Sequence, residues 1–262
     1  MIAAASSAGS AMRSSTPILE SQAVSMCFGR FTALKDVSVA FQAGRLTAII
    51  GPNGAGKSTY FNVLSGALAP TSGRVLFEGR DLTGSPQHAF ARQGIAKSVQ
   101  ITNVFPHLSA HENVRIAAQM RHRRFELLKS RAHMNEFIDA ADALLARVGL
   151  TRASNQPARD LAHGQQRCLE VAIALASEPR LLLMDEPTAG MSPEETRVMM
   201  DLIATLAAER TVILVEHKMK LVMGLCDRLI VLHHGELLAE GRPDEIRANE
   251  EVRRVYLGQG AT

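Results

Sequence analysis

The 262-residue chain has no tryptophan, two tyrosines and 4% aromatic residues in all, so a base-stacking surface or a large aromatic cleft has little to be built from. Its three cysteines, Cys27, Cys168 and Cys226, lie far apart, with no Cys-x-x-Cys pair or Cys/His cluster. They read as reduced thiols in a cytosolic compartment and imply neither a disulfide framework nor a metal site. No apolar run approaches the ~18 residues that span a bilayer. A surplus of one charge is lacking too: 29 Lys and Arg face 26 Asp and Glu, so no dominant basic field marks nucleic acid as a partner. What is present, 46% hydrophobic and 21% charged, is the balance of an ordinary globular protein with a substantial core.

Residues 1–17, rich in Ala and Ser, lack the basic start and long apolar centre of a secretory signal and read as a frayed, disordered tail. From Ile18 to Ala48 the pattern is short and β-like, with strands expected at Val24–Phe28 and Val37–Phe41 and turns at Gly29 and 43–44. Buried-strand runs follow at Leu46–Ile50, Leu181–Met184, Val212–Val215 and Leu229–Leu232. Helical stretches separate them, which is the α/β pattern of a largely parallel sheet. The long span 109–175 reads as mostly helical, starting with a capping box at Ser109-x-x-Glu112 and including a helix near Ala132–Val148 that ends at Gly149. Ser192-Pro193-x-Glu195 is a second capping box, with Pro at the first helical position. The basic run Arg121–Arg124 with Lys129 and Arg131 reads as a solvated face, or as a contact for anionic lipid headgroups or an acidic partner.

Gly51-Pro-Asn-Gly-Ala-Gly-Lys-Ser-Thr59 matches G-x-x-x-x-G-K-[ST] between an apolar strand and a helical pattern. Glycines let successive backbone N–H groups face one point, and a helix N-terminus adds partial positive charge there. Asn53, Gly54 and Gly56 shape this cradle; Lys57 is expected to bridge the β- and γ-phosphates, Ser58 to ligate Mg²⁺, and Thr59 to lie near the α-phosphate. An acid at the end of a second parallel strand should complete the site, and Asp185 and Glu186 follow the run Leu181–Met184. Consecutive strand residues face opposite ways, so the two divide the work: Asp185 for Mg²⁺ through water, Glu186 to polarise the attacking water.

With these two motifs in place, the chain from about Leu19 onward resembles the ATP-binding subunits of ABC transporters. Leu161-Ala-His-Gly-Gln165 stands where that family has Leu-Ser-Gly-Gly-Gln, Ala189-Gly-Met-Ser192 occupies the D-loop position, and Gln100, His217 and Phe28 resemble the Q-loop glutamine, the switch histidine and the adenine-stacking aromatic. The resemblance implies an α/β P-loop NTPase fold of ABC ATPase type, a mixed-sheet core with an antiparallel β subdomain and a helical subdomain. The expected division is 18–108 for the β subdomain and phosphate-loop part of the core, 109–178 for the helical subdomain, and 179–262 for the rest of the core and the C-terminal helices. It further implies ATP and Mg²⁺ as cofactors, Gln100 touching Mg²⁺ and the water while its loop senses a membrane partner, and His217 on the γ-phosphate. Phe31 and Phe41 compete with Phe28 for the adenine. Ala162, Gly164 and Gln165 form a second anion-binding helix start, which the family uses on the nucleotide of a second ATPase chain in a head-to-tail dimer, a copy of this chain or a different one.

Departures from the family pattern are Ala162 for Ser, His163 for Gly, and Ser192 where many relatives have Asp. The segments 161–167, 185–193 and 216–228 and the ending 252–258 resemble the importer ATPases for branched-chain and other hydrophobic amino acids. Urea and short-chain amide importers share the pattern, and lipopolysaccharide exporters have a similar tail. The expected partners are transmembrane permease subunits and, indirectly, a substrate-binding protein, at the cytoplasmic face of the cell membrane. An ABC ATPase without a membrane partner is the reading of a different class; this chain has neither heptads nor the second phosphate loop common there.

Overall fold

A computed structural model describes residues 16–98, 104–120 and 131–257. Strands β1 (Leu19–Phe28), β2 (Phe31–Phe41), β4 (Ser72–Phe77) and β5 (Arg80–Asp81) form an antiparallel sheet in the order β2-β1-β4-β5. A second sheet has the order β10-β9-β3-β8-β7-β6, with β3 (Leu46–Ile50), β6 (Ile95–Ser98), β7 (Leu181–Asp185), β8 (Thr211–Val215), β9 (Arg228–His233) and β10 (Glu236–Gly241). All its pairs are parallel except β9 with β10, so the expected mixed sheet is present. Helices α1 (Lys57–Leu64), α2 (Gln87–Arg92), α3 (Ala110–Gln119), α4 (Arg131–Arg147), α5 (His163–Leu175), α6 (Pro193–Ala207), α7 (Met219–Met223), α8 (Pro243–Ala248) and α9 (Glu250–Leu257) complete the described chain. None is long and apolar enough to cross a membrane.

The central strands are apolar on both faces because each face has its own cover. Leu181, Leu183, Ile213, Val215, Ile49, Ile230 and Leu232 pack on one side with α1 and the inner face of the antiparallel sheet. Their neighbours in sequence, Leu182, Met184, Val212, Leu214, Ala48, Ile50, Leu229 and Val231, pack on the other side with α3 to α7. Strict alternation along each strand thus divides one hydrophobic run between two cores.

The four core strands expected from the sequence stand within one residue of their observed ends. The two N-terminal strands are longer than expected and join through Gly29 and Arg30, while β4 and α2 were not expected. At α3 the capping box is half made. Ser109 Oγ accepts from the Glu112 N–H at 3.1 Å, but the Glu112 carboxylate turns to the Arg115 guanidinium at 2.6 and 2.9 Å, a charge-assisted fork stronger than a bond to one amide. Gly149, two residues past the end of α4, has φ 77°, the left-handed turn of a helix stop. The tail residues 1–15, Gln100 and most of the basic run, 121–130, lie outside the described residues.

Candidate active site

Strands β3, β8, β7 and β6 are adjacent and parallel, so their C-terminal ends share one edge of the sheet. That edge is where an open α/β sheet binds its ligand. It carries the 51–59 loop after β3, Asp185 and Glu186 at the end of β7, and Glu216 and His217 after β8.

The loop is built for backbone proximity. A Cβ on Gly51 would stand 2.3 Å from the Leu232 carbonyl oxygen, and one on Gly56, whose φ is 94°, would stand 2.8 Å from that of Ala33. Helix α1 starts at Lys57 without a capping side chain, and the first-turn amides of a helix have no partner within it. Asn53, Gly54 and Ser58 are exposed at this start and Thr59 half-buried. Lys57 is only 7% exposed; its Nζ donates to the Gly51 and Pro52 carbonyls at 2.8 and 3.0 Å. Burial pushes its pKa down, and the nearby Glu186 and Asp185 oppose that shift. Two glycines, Gly51 and Gly56, with no room for a Cβ, a helix start without a capping side chain and a held ammonium together fit a polyphosphate.

Asp185 closes β7, and burial pushes its carboxyl up, opposed first by Lys97. Glu186 leaves the strand with φ 43°, a left-handed conformation that costs a non-glycine residue of order 1–3 kcal/mol. The strand alternation invoked for the pair therefore stops at Asp185. His217 Nδ1 lies 3.6 Å from Glu186 Oε1 and 3.9 Å from Glu216 Oε2. Two charged residues here were missed in the sequence. Lys97, on β6, donates to Asn62 Oδ1 at 2.7 Å and sits 5.1 Å over the Phe61 ring. Glu216 is fully buried; an acid directly after five buried strand residues was its one available signal.

Ala162, Gly164 and Gln165 stand apart from the phosphate loop in their contacts, which run to α6. Ala162 is the N-cap of α5 and has no side-chain oxygen to offer. Gln165 Oε1 accepts from the Ala162 N–H at 3.1 Å, and Glu195 reaches across to accept from the Gly164 N–H at 3.2 Å. The same carboxylate accepts from Ser192 N–H at 2.9 Å, while Ser192 Oγ accepts from Glu195 N–H at 3.2 Å, the full capping box expected there. Glu195 thus caps its own helix and substitutes for the hydroxyl that Ala162 lacks. Glu195→Ala is expected to lower Tm by about 2–4 °C; an unchanged melting curve would show that α5 does not use this cap. His163 packs over Gly190, its Cε1 3.2 Å from where a Cβ would stand.

Phe28 and Phe31 face each other across the β1–β2 hairpin end and are 48% and 66% exposed, whereas Phe41 is 0% exposed and belongs to the core. Burial thus removes Phe41 from the three candidates for an adenine platform. The cysteines are free; burial pushes Cys168 and Cys226 up to about 11 and about 12.

A phosphate loop between β3 and α1, with carboxylates at the end of a neighbouring parallel strand, defines a P-loop nucleoside triphosphatase. Residues 34–189 match the family model for the ABC transporter, and 236–262 match that for the branched-chain amino acid ATP-binding cassette transporter. A high-affinity branched-chain amino acid transport ATP-binding protein of Pseudomonas aeruginosa is 40% identical over 254 residues, 94% of this chain and 99% of that protein. Among solved structures, the ADP conformation of an ATP-binding cassette of an ABC transporter is 27% identical with a TM-score of 0.80, covering 93% of this chain and 100% of that one. A dimeric post-hydrolysis cassette bound to ADP and Pi is 28% identical with a TM-score of 0.75, covering 86% and 98%. The chain belongs to the ATP-binding subunits of the ABC transporter family, and it is an ATPase.

Proposed function

We propose that this chain is the energy-coupling subunit of an importer for branched-chain or other hydrophobic amino acids, working at the cytoplasmic face of the cell membrane. The observation that carries the chemistry is the meeting of Lys57, Asp185, Glu186 and His217 at one sheet edge. The match of residues 236–262 to the branched-chain transporter model, beside the 40% identity to a branched-chain transport protein, favours the substrate class over the urea, amide and lipopolysaccharide alternatives.

The loop amides of 53–59 bind the phosphates, with Lys57 supplying the positive charge at the β- and γ-groups. Ser58 and, through water, Asp185 would hold Mg²⁺, which would supply positive charge against that developing on the phosphoryl oxygens. Gln100 is assigned to the same metal and the water. Glu186 accepts the proton of the attacking water, and His217, its Nδ1 turned toward Glu186 and Glu216, presents Nε2 to the γ-phosphate. Phe28 is the adenine platform. Ala162, Gly164 and Gln165 act on the nucleotide of a second ATPase chain, so ATP joins the two and hydrolysis releases them.

The permease docks beside the 100–106 loop. Val104, Pro106, Gln166 and Leu169 line a cavity of about 280 Å³ there, and the neighbouring Phe105 is exposed. Asn113 fastens Phe105, accepting from its N–H at 2.7 Å and donating to its carbonyl at 3.0 Å. On this reading residues 109–178 are the arm that receives the membrane partner. Isolation in mild detergent, followed by mass spectrometry of the companions, should recover permease subunits, a second ATPase chain and, through them, a binding protein for hydrophobic amino acids. Recovery of the chain alone from cells that make candidate permeases would contradict the assignment.

A further inference from the structure

Behind the catalytic edge lies a carboxylate that none of these roles uses. Glu216 follows β8 directly and is 0% exposed. Burying a carboxylate is expensive unless hydrogen bonds replace its water, and an apolar residue would extend the apolar run of β8 at no such cost. The carboxylate is satisfied from two separate loops. Thr188, itself fully buried, donates its hydroxyl to Oε1 at 2.5 Å; the His217 and Lys218 amides donate to Oε2 at 3.2 and 3.5 Å. Thr188 stands two residues beyond Glu186, in the segment leading to α6, and His217 follows Glu216 in the segment after β8. Glu186 and Glu216 also stay anchored to neighbouring strands, by Glu186 N–H to the Val215 carbonyl at 2.9 Å and Glu216 N–H to that of Ile49 at 3.3 Å.

We propose that Glu216 is a positioning residue that locks the loop after Glu186 to the loop bearing His217, and so sets the spacing between catalytic carboxylate and imidazole. That spacing is 3.6 Å from Glu186 Oε1 to His217 Nδ1, and Glu216 Oε2 lies 3.9 Å from the same ring nitrogen. Both acids stand on the Nδ1 side of the ring, at ion-pair rather than hydrogen-bond distance, which leaves Nε2 for the phosphate. Without the Thr188–Glu216 bond, the Glu186 N–H would still tie the first segment to the end of β8, but the residues beyond Glu186 would lose their side-chain tie to the segment bearing His217. The phosphate loop, on β3 and α1, makes none of these side-chain bonds, so nucleotide binding is spared and the chemical step is not.

The inference rests on the roles given above to Glu186 and His217, and one set of variants separates the two. Thr188→Val keeps the shape of the side chain and removes its hydroxyl; Thr188→Ser restores the hydroxyl; Glu216→Ala removes the carboxylate. Each is measured for ATP turnover in the assembled complex and for ATP affinity on the full chain. Thr188→Val and Glu216→Ala should each lower kcat about tenfold or more, as misplaced catalytic groups do, with KM and ATP affinity within about twofold of the parent. Thr188→Ser should recover most of the rate, and the double variant should be no slower than the slower single one. Should Glu216→Ala not fold, Thr188→Val against Thr188→Ser still decides. An unchanged kcat for Thr188→Val, equal losses in Val and Ser, or losses that multiply in the double variant would overturn the positioning role. Full turnover by Glu186→Gln in the same assay would overturn instead the catalytic assignment beneath it.

Discussion

Glu186→Gln should abolish steady-state ATP hydrolysis and leave ATP binding intact. Glutamine keeps the length and shape of the side chain and can retain the backbone geometry at φ 43°, but its amide cannot take a proton from water. Loss of a positioned general base costs about 10²- to 10⁴-fold in rate. The residue stands beyond the end of β7, outside the 51–59 loop, so the contacts that bind phosphate are untouched. Phosphate release and equilibrium ATP binding, measured on the same preparation, check the split. Undiminished turnover would remove Glu186 from the catalytic role, and a parallel loss of ATP affinity would make it a binding residue.

Lys57→Ala should act on binding itself. The ammonium is held at the loop by the Gly51 and Pro52 carbonyls and is buried, so the protein has already borne much of the cost of placing it. A hydrogen bond to a charged group contributes about 1.5–3 kcal/mol, so losing the lysine's bonds to phosphate is expected to weaken ATP affinity by about 10- to 100-fold or more. Lys57→Met, which keeps most of the apolar stem, should lose affinity in the same way and thereby separate charge from packing. Unchanged nucleotide affinity in both variants would contradict the assignment.

How much of this was legible in the sequence follows from the range of each interaction. Gly51 to Thr59 could be recognised because the motif is local: the spacing of its glycines and lysine is itself the geometry. The central strands were equally plain, since apolar residues filling both faces leave runs such as Leu181–Met184 with no competing pattern. Strand β4 was missed because what makes it a strand is pairing with β1, some fifty residues earlier, as in Ser21 with Val75. The choice among Phe28, Phe31 and Phe41 needed burial, which alternation alone did not rank. Ser109-x-x-Glu112 has the letters of a capping box, yet Arg115 one turn on takes the carboxylate. The reach of Glu195 to α5 and the role of Glu216 stayed hidden for a related reason. Their partners, Gly164 and Thr188, stand 31 and 28 residues away, and no spacing rule joins them. Residues with recognisable motifs were thus found, and those that hold the motifs relative to one another were not.

The central claim is that ATP hydrolysis at this site drives hydrophobic amino acids across a membrane. Its most direct test is uptake of radiolabelled leucine into proteoliposomes that contain the purified complex, a leucine-binding protein being supplied, with ATP on the side of this chain. Uptake should require ATP, be accompanied by leucine-stimulated phosphate release, and vanish when this chain carries Glu186→Gln. Uptake that persists with that variant, or ATP turnover indifferent to leucine and to other hydrophobic amino acids, would contradict the account.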